Sequence, residues 1–96
     1  MTSKQRAYLR GQANSIDSIF QIGKTGLSEN LLTQLSDALE ARELIKISVL
    51  ETAPDTAKNL AIEISNSIET EVIQVIGNRI TLFRQKKKDS RYQLPN

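Results

Sequence analysis

Between Ile19 and Ile76 the apolar residues keep changing period, and that alternation limits the folds open to the chain. Ile19-Phe20-Gln21-Ile22 reads as a short strand. Leu31, Leu32, Leu35, Ala38 and Leu39 then recur at helical intervals, which predicts a helix over Glu29–Ala41 with a face wide enough to lie on a sheet. Leu44–Leu50 alternates with a period of two, as a strand does. Pro54 is expected to open the next helix, where its missing N–H costs nothing, and Ala57, Leu60, Ala61, Ile64 and Ile68 continue the helical period. Val72–Ile76 is apolar on both faces apart from Gln74, the pattern of a strand near the middle of a sheet.

Strands joined through a helix run parallel, with right-handed crossovers. Gly77-Asn78 predicts a two-residue hairpin with glycine first, returning Ile80–Arg84 as an antiparallel strand. Ser3–Ala13 reads as a leading helix capped by Thr2 or Ser3, with Arg6 and Arg10 on one face. The order helix-strand-helix-strand-helix-strand-strand specifies an α/β (α+β) domain with a four-stranded mixed sheet. Residues 1–84 are expected to form this domain. Residues 85–96 lack any period and are expected to be a basic C-terminal tail, ordered only in part.

The first strand hands over to the second helix through Ile22-Gly23-Lys24-Thr25-Gly26-Leu27-Ser28. Glycine permits a tight turn and close approach of a ligand to the backbone. Ser28 is a good N-cap, and with Lys24 the following helix N-terminus favours an anion, most naturally a phosphate. A nucleotide-binding P-loop is excluded, because Ser18 stands where that motif needs its first glycine and Gly26 falls where its helix has begun. Two readings stay open at this point: an ordinary strand-to-helix turn, or a loop that touches a nucleic-acid backbone.

A chain of 96 residues suits one small domain. It has neither cysteine nor histidine, so thiol nucleophiles, Ser-His-Asp triads, zinc sites and disulfides are out. No apolar run is long enough to span a bilayer and no secretory signal is visible, so a cytoplasmic location and no membrane partner are expected. Net charge is only +2, but its distribution is uneven. Lys4, Arg6, Arg10 and Lys24 dominate the start, and Arg79, Arg84, Lys86, Lys87, Lys88 and Arg91 the end. The stretch between holds Glu29, Asp37, Glu40, Glu43, Glu51, Asp55, Glu63, Glu69 and Glu71. Basic ends of this kind suit a polyanion.

With these residues placed, the chain resembles the YhbY family, the free-standing bacterial form of the CRM (chloroplast RNA splicing and ribosome maturation) domain. The resemblance rests on Lys4-Gln5-Arg6 with Leu9-Arg10, on Ile22–Ser28, on Glu43-Leu44-Ile45-Lys46-Ile47, and on Val75-Ile76-Gly77-Asn78 leading to Leu82-Phe83-Arg84. Leu94-Pro95 near the end is also similar. It implies a fold like the C-terminal domain of translation initiation factor three, RNA binding through a Gly-x-x-Gly loop, and association with large ribosomal subunit precursors. Asn14 and Phe83 depart from the histidine and tyrosine many members carry.

The residues assigned to RNA are Gly23, Lys24, Thr25 and Gly26 in the loop, Arg6 and Arg10 on the first helix, and Arg84, Lys86, Lys87 and Lys88 near the end. The last four join the others only if folding brings the exit of the final strand near that helix. Ring stacking is a minor expectation, since Phe20 and Phe83 sit in strand patterns and only Tyr8 and Tyr92 remain. Structured ribosomal RNA is therefore the expected partner of a monomer with no cofactor and no metal. An enzyme is not expected, because the carboxylates show no paired spacing. The alternative is a protein-interaction module that docks a ribosomal protein through the acidic middle.

Overall fold

Each helix of the computed structural model, which describes residues 1–96, starts on a hydroxyl cap. Thr2 Oγ1 accepts from the Gln5 N–H at 3.1 Å, and Gln5 Oε1 accepts from the Thr2 N–H at 3.1 Å. This reciprocal box opens α1 (Ser3–Ala13). Ser28 Oγ accepts from the Leu31 N–H at 3.1 Å and opens α2 (Glu29–Arg42). Thr56 does the same for α3 (Ala57–Ser67), accepting from the Asn59 N–H at 3.2 Å. The third helix therefore begins after Pro54, not on it. Threonine with an aspartate before it makes the better cap, and the proline ring is used elsewhere.

The strands are β1 (Ser18–Ile22), β2 (Leu44–Val49), β3 (Glu71–Ile76) and β4 (Arg79–Phe83), in sheet order β1-β2-β4-β3. β1 and β2 are parallel, while β4 is antiparallel to both of its neighbours. β2 and β3 thus point the same way, as a helical link requires, but they do not touch. β3 is an edge strand rather than a central one. Its two-sided apolarity has a different cause: Val72 and Val75 pack towards α2 and α3, and Ile73 packs towards α1. Gly77, at φ +57°, takes the first position of the hairpin that makes this possible, with Ile76 paired to Arg79.

The sheet is covered on both faces. On one, α2 and α3 bury Leu35, Leu39, Leu60 and Ile64 against Ile22, Ile45, Ile47, Ile80 and Leu82. On the other, α1 lays Leu9 and Ala13 over Leu44, Ile73 and Phe83, where Tyr92 and Leu94 of the chain end also pack. The Tyr92 ring meets Phe83 edge-on at 5.8 Å between centroids. Alternation along the strands then puts Gln21, Lys46, Ser48, Gln74 and Arg79 on the part of this face that α1 does not cover. Arg6 ties α1 to the sheet by donating to the carbonyls of Val72 and Ile73 beside the irregularity in β3. That contact caps carbonyls which an edge strand otherwise leaves open.

Pro54 explains a constraint on the loop after β1. Gly26 is buried at φ +66°, and a Cβ there would lie 2.9 Å from Pro54 Cγ. A Cβ on Gly23 would make only ordinary contact, 3.5 Å from Leu50 Cδ1. Gly26→Ala should therefore destabilise the fold by about 2–4 kcal/mol through left-handed strain and overpacking together. Gly23→Ala should stay within about 1 kcal/mol. Adding Pro54→Ala to the first variant should recover part of its loss and none in the second, as measured by urea denaturation.

Candidate nucleic-acid interface

The Gly26 N–H donates to the Gly23 carbonyl at 2.9 Å, closing a turn with Lys24 and Thr25 at its tip. Both tip residues are exposed. The sides of Gly23 and Gly26 that lack a Cβ face Leu50, Thr52 and Pro54, so the protein itself fills that space. What the turn presents outward is an ammonium and a hydroxyl, just ahead of the N-terminus of α2. The same end of the sheet carries the exposed Arg79 after the hairpin and Lys58 in the first turn of α3. It also carries Glu51 and Asp55. Hydrogen bonds from Asn59 Nδ2 and then the Thr56 N–H hold the Asp55 carboxyl below its ordinary pKa, so it stays ionised beside the turn.

β4 runs away from this end, and Arg84–Lys88 emerge at the opposite pole of the sheet. Folding therefore brings the exit of β4 beside α1, whose Leu9 packs with Phe83, but leaves the turn with Lys24 at the far end of the sheet. Arg84 itself is nearly enclosed, with 13% of its side chain exposed. Its Nε donates to the Glu69 carbonyl at 2.7 Å, Nη1 to the Ser36 carbonyl at 3.2 Å and to Glu40 Oε1 at 3.1 Å, and Nη2 to Ser36 Oγ at 3.1 Å. It joins α2 and the link between α3 and β3 to the end of β4, and has little left to offer a ligand. Arg6 is engaged likewise by β3 and lies 4.0 Å from Glu71. Arg10, one helical turn further on, is exposed.

Lys86, Lys87 and Lys88 follow in a loop organised by a residue that sequence reasoning left among the acids of the middle. Glu43 ends α2 at φ +69°, and its side chain is 0% exposed. Glu43 Oε2 accepts from the Lys86 N–H at 3.1 Å and from the Ser90 hydroxyl, and Oε1 accepts from the Arg91 N–H at 2.7 Å. Its carbonyl accepts from the Arg84 N–H at 2.8 Å. Residues 86–91 thus wrap the carboxylate, with Lys87 and Lys88 exposed outside. Burial pushes this carboxyl up, but the donors from Ser90, Arg91 and Lys86, with the Lys86 charge, outweigh it and hold it below its ordinary 4.5.

Of the 13 lysines and arginines, only Arg6 and Arg84 lie within ion-pair distance of a carboxylate. Lys24, Arg10, Lys87 and Lys88 form no ion pair, and Lys86 acts on the Glu43 carboxylate without forming one. The sites not anticipated, Arg79 and Glu43, had weak signals. Arg79 was placed at the turn's end by topology alone. Glu43 differed from its acidic neighbours only in standing at a helix-to-strand junction.

The CRS1 / YhbY (CRM) domain matches residues 1–84. The Bacillus subtilis protein named "Probable RNA-binding protein YqeI" is 38% identical over 95 residues, covering 99% of each chain. A protein of Haemophilus influenzae named "RNA-binding protein" is 28% identical over 95 residues, covering 99% of this chain and 95% of the other. The solution structure of SAV1595 from Staphylococcus aureus, described as a candidate RNA-binding protein, is 46% identical. It superimposes with a TM-score of 0.82 and covers 99% of both chains.

The buried carboxylate sets a pH dependence. Its folded-state pKa lies below the unfolded value, so the unfolded chain takes up the proton more readily. The stabilisation is complete above about pH 4.5 and is lost as pH falls through the folded-state value. The stability difference between the parent chain and Glu43→Gln should accordingly be largest near neutrality and shrink on acidification below that point. Denaturation curves of both chains across the acid range check this, with the Lys86 and Arg91 amides as local probes.

Proposed function

The chain belongs to the CRS1/YhbY (CRM) domain family, and from that premise we propose that it binds structured ribosomal RNA in large-subunit precursors as an assembly factor. The observation that carries the reading is the set of exposed cations without acidic partners, Lys24 at one end of the sheet and Lys87 and Lys88 at the other. Lys24 and Thr25 would meet the sugar-phosphate backbone at the tip of the turn. Arg10 on α1, which packs beside the exit of β4, and Lys86–Lys88 would supply a second contact. Arg6 and Arg84 support this surface by fixing α1 and the exit of β4, with fewer donors free for RNA. The relatives named for RNA binding favour the same ligand.

The ends of a strand such as Leu44–Val49 are about 17 Å apart, so two contacts at opposite poles suit a folded RNA that holds its phosphates at fixed separation. Base stacking would add little. Phe83 is buried, Phe20 packs on the main core, and Tyr8 and Tyr92 are half-buried against Phe83 and its neighbours. Recognition would therefore read backbone and shape. We take the protein to act as a monomer in the cytoplasm, by binding and not by catalysis. No helix is long and apolar enough to cross a membrane.

With Lys24, Arg10, Lys86, Lys87 and Lys88 each neutralising a phosphate, the log–log salt slope of binding should be about −3.5 to −4.5, between the single-strand and duplex limits. Lys24→Glu combined with Lys87→Glu should abolish binding to a labelled structured fragment of large-subunit ribosomal RNA, measured by fluorescence anisotropy, while leaving the melting curve near that of the parent. If instead the acids of α2 and α3 dock a ribosomal protein as the main role, that variant will keep its partner and its co-sedimentation with precursors. Unchanged affinity for the RNA would reject the reading.

A further inference from the structure

Glu43 carries two costs on one residue. It is the only charged side chain that is fully buried, and it holds a left-handed backbone that a non-glycine residue rarely adopts. No lysine or arginine forms an ion pair with it. Its side-chain partners are two N–H groups and one hydroxyl, all from the stretch Lys86–Arg91. That stretch holds Lys86, Lys87, Lys88 and Arg91, which repel one another and would extend if untethered. A turn at Asp89, with φ +57°, folds it back onto the carboxylate. The molecule thus uses a buried acid to bend a cationic segment into one shape.

We propose that Glu43 is a positioning residue that holds Lys86–Arg91 as a preformed phosphate-binding loop, with Lys87 and Lys88 as the groups that meet the RNA backbone. This rests on the RNA reading above and adds the device that makes the second contact effective. A loop already ordered gives up less freedom on binding than a loose basic tail. Its surroundings are mixed in charge. Arg42 and Arg91 line the cleft on one side of it, with Asp17 as the acid there. On the other side Glu40 and Glu69 face the lysines, and Arg84 occupies Glu40.

The test turns on a sign. Glu43→Gln removes a negative charge from beneath a cationic loop, so charge alone predicts tighter binding. The clamp predicts weaker binding, because an amide NH2 replaces an oxygen that accepts from N–H or O–H. The full-length parent chain, Glu43→Gln, Ser90→Ala and Lys87→Ala/Lys88→Ala are titrated with the same labelled ribosomal RNA fragment over a range of KCl. Hydrogen exchange at the Lys86 and Arg91 amides reports the loop.

Glu43→Gln should free those amides, weaken binding about tenfold near physiological salt, and flatten the log–log salt slope by about 1.4 to 1.8, the share of two phosphates. Lys87→Ala/Lys88→Ala should do the same to affinity and slope with the amides still protected. Combining the two changes should add little, since both remove one contact. Should Glu43→Gln not fold, Ser90→Ala removes a single donor without changing charge and should weaken binding about threefold. Equal or tighter binding with a freed loop overturns the proposal, as does an unchanged slope in the double lysine variant. If Lys24→Glu weakens binding while the loop variants do not, the RNA reading stands and the clamp falls. If the parent chain itself does not bind the RNA, both fall.

Discussion

The ladder between β2 and β4, from Leu44 opposite Phe83 to Ser48 opposite Arg79, decides where everything else in this molecule lies. Because β4 enters the sheet between β2 and β3, its direction is opposite to every other strand's. The turn after β1, the loop after β2 and the hairpin all collect at one end. The residues after Phe83 leave from the other. A chain with the same elements but β4 outside β3 would keep its helices and still lose the Leu44–Phe83 contact on which α1 and Tyr92 rest. The charge map follows from strand direction, not from proximity in sequence.

Within that frame, the loops at each end are shaped by local devices. At one end Pro54 fills the space that Gly26 leaves, so the second glycine of the turn serves packing first. Lys24 and Thr25 are pushed outward as a consequence of that packing. At the other end Arg84 and Glu43 divide the work between them. Arg84 satisfies a carbonyl and a carboxylate of α2 and a carbonyl of the link before β3, while Glu43 satisfies N–H groups of the departing chain. Each is a charged group taken largely out of water, tolerable because its hydrogen-bonding capacity is met.

The order and type of all the elements were legible in the spacing of apolar residues, because each helix and strand must bury one face whatever its neighbours are. Three things were not. The place of β3 at the edge depends on which strand pairs with β2, and period carries no pairing information. Pro54 looked like a helix start by local propensity, but its ring serves a contact with Gly26 across the loops. Arg84 and Glu43 looked like ordinary members of a basic end and an acidic middle. Their burial depends on Ser36, Ser90 and Arg91, which only the tertiary fold brings near. The candidate residues could be named from the sequence, but their separation into two groups could not.

That separation bears on the kind of RNA such a surface suits. The molecule is 39 Å in its longest dimension, with cations at both ends of the sheet and polar side chains such as Gln21, Lys46 and Ser48 between them. A flexible single strand laid over it would lose much of its freedom for a few phosphate contacts, with no exposed ring to stack its bases. A folded RNA loses less, because its phosphates are already held apart. The same reasoning applies to the protein side. Two distant contacts reinforce each other only if the protein holds its own cations in place, and a loose lysine tail does not. The buried carboxylate at the end of α2 and the packed turn after β1 each fix the chain that carries their cations, which is the rigidity such a two-ended contact would require.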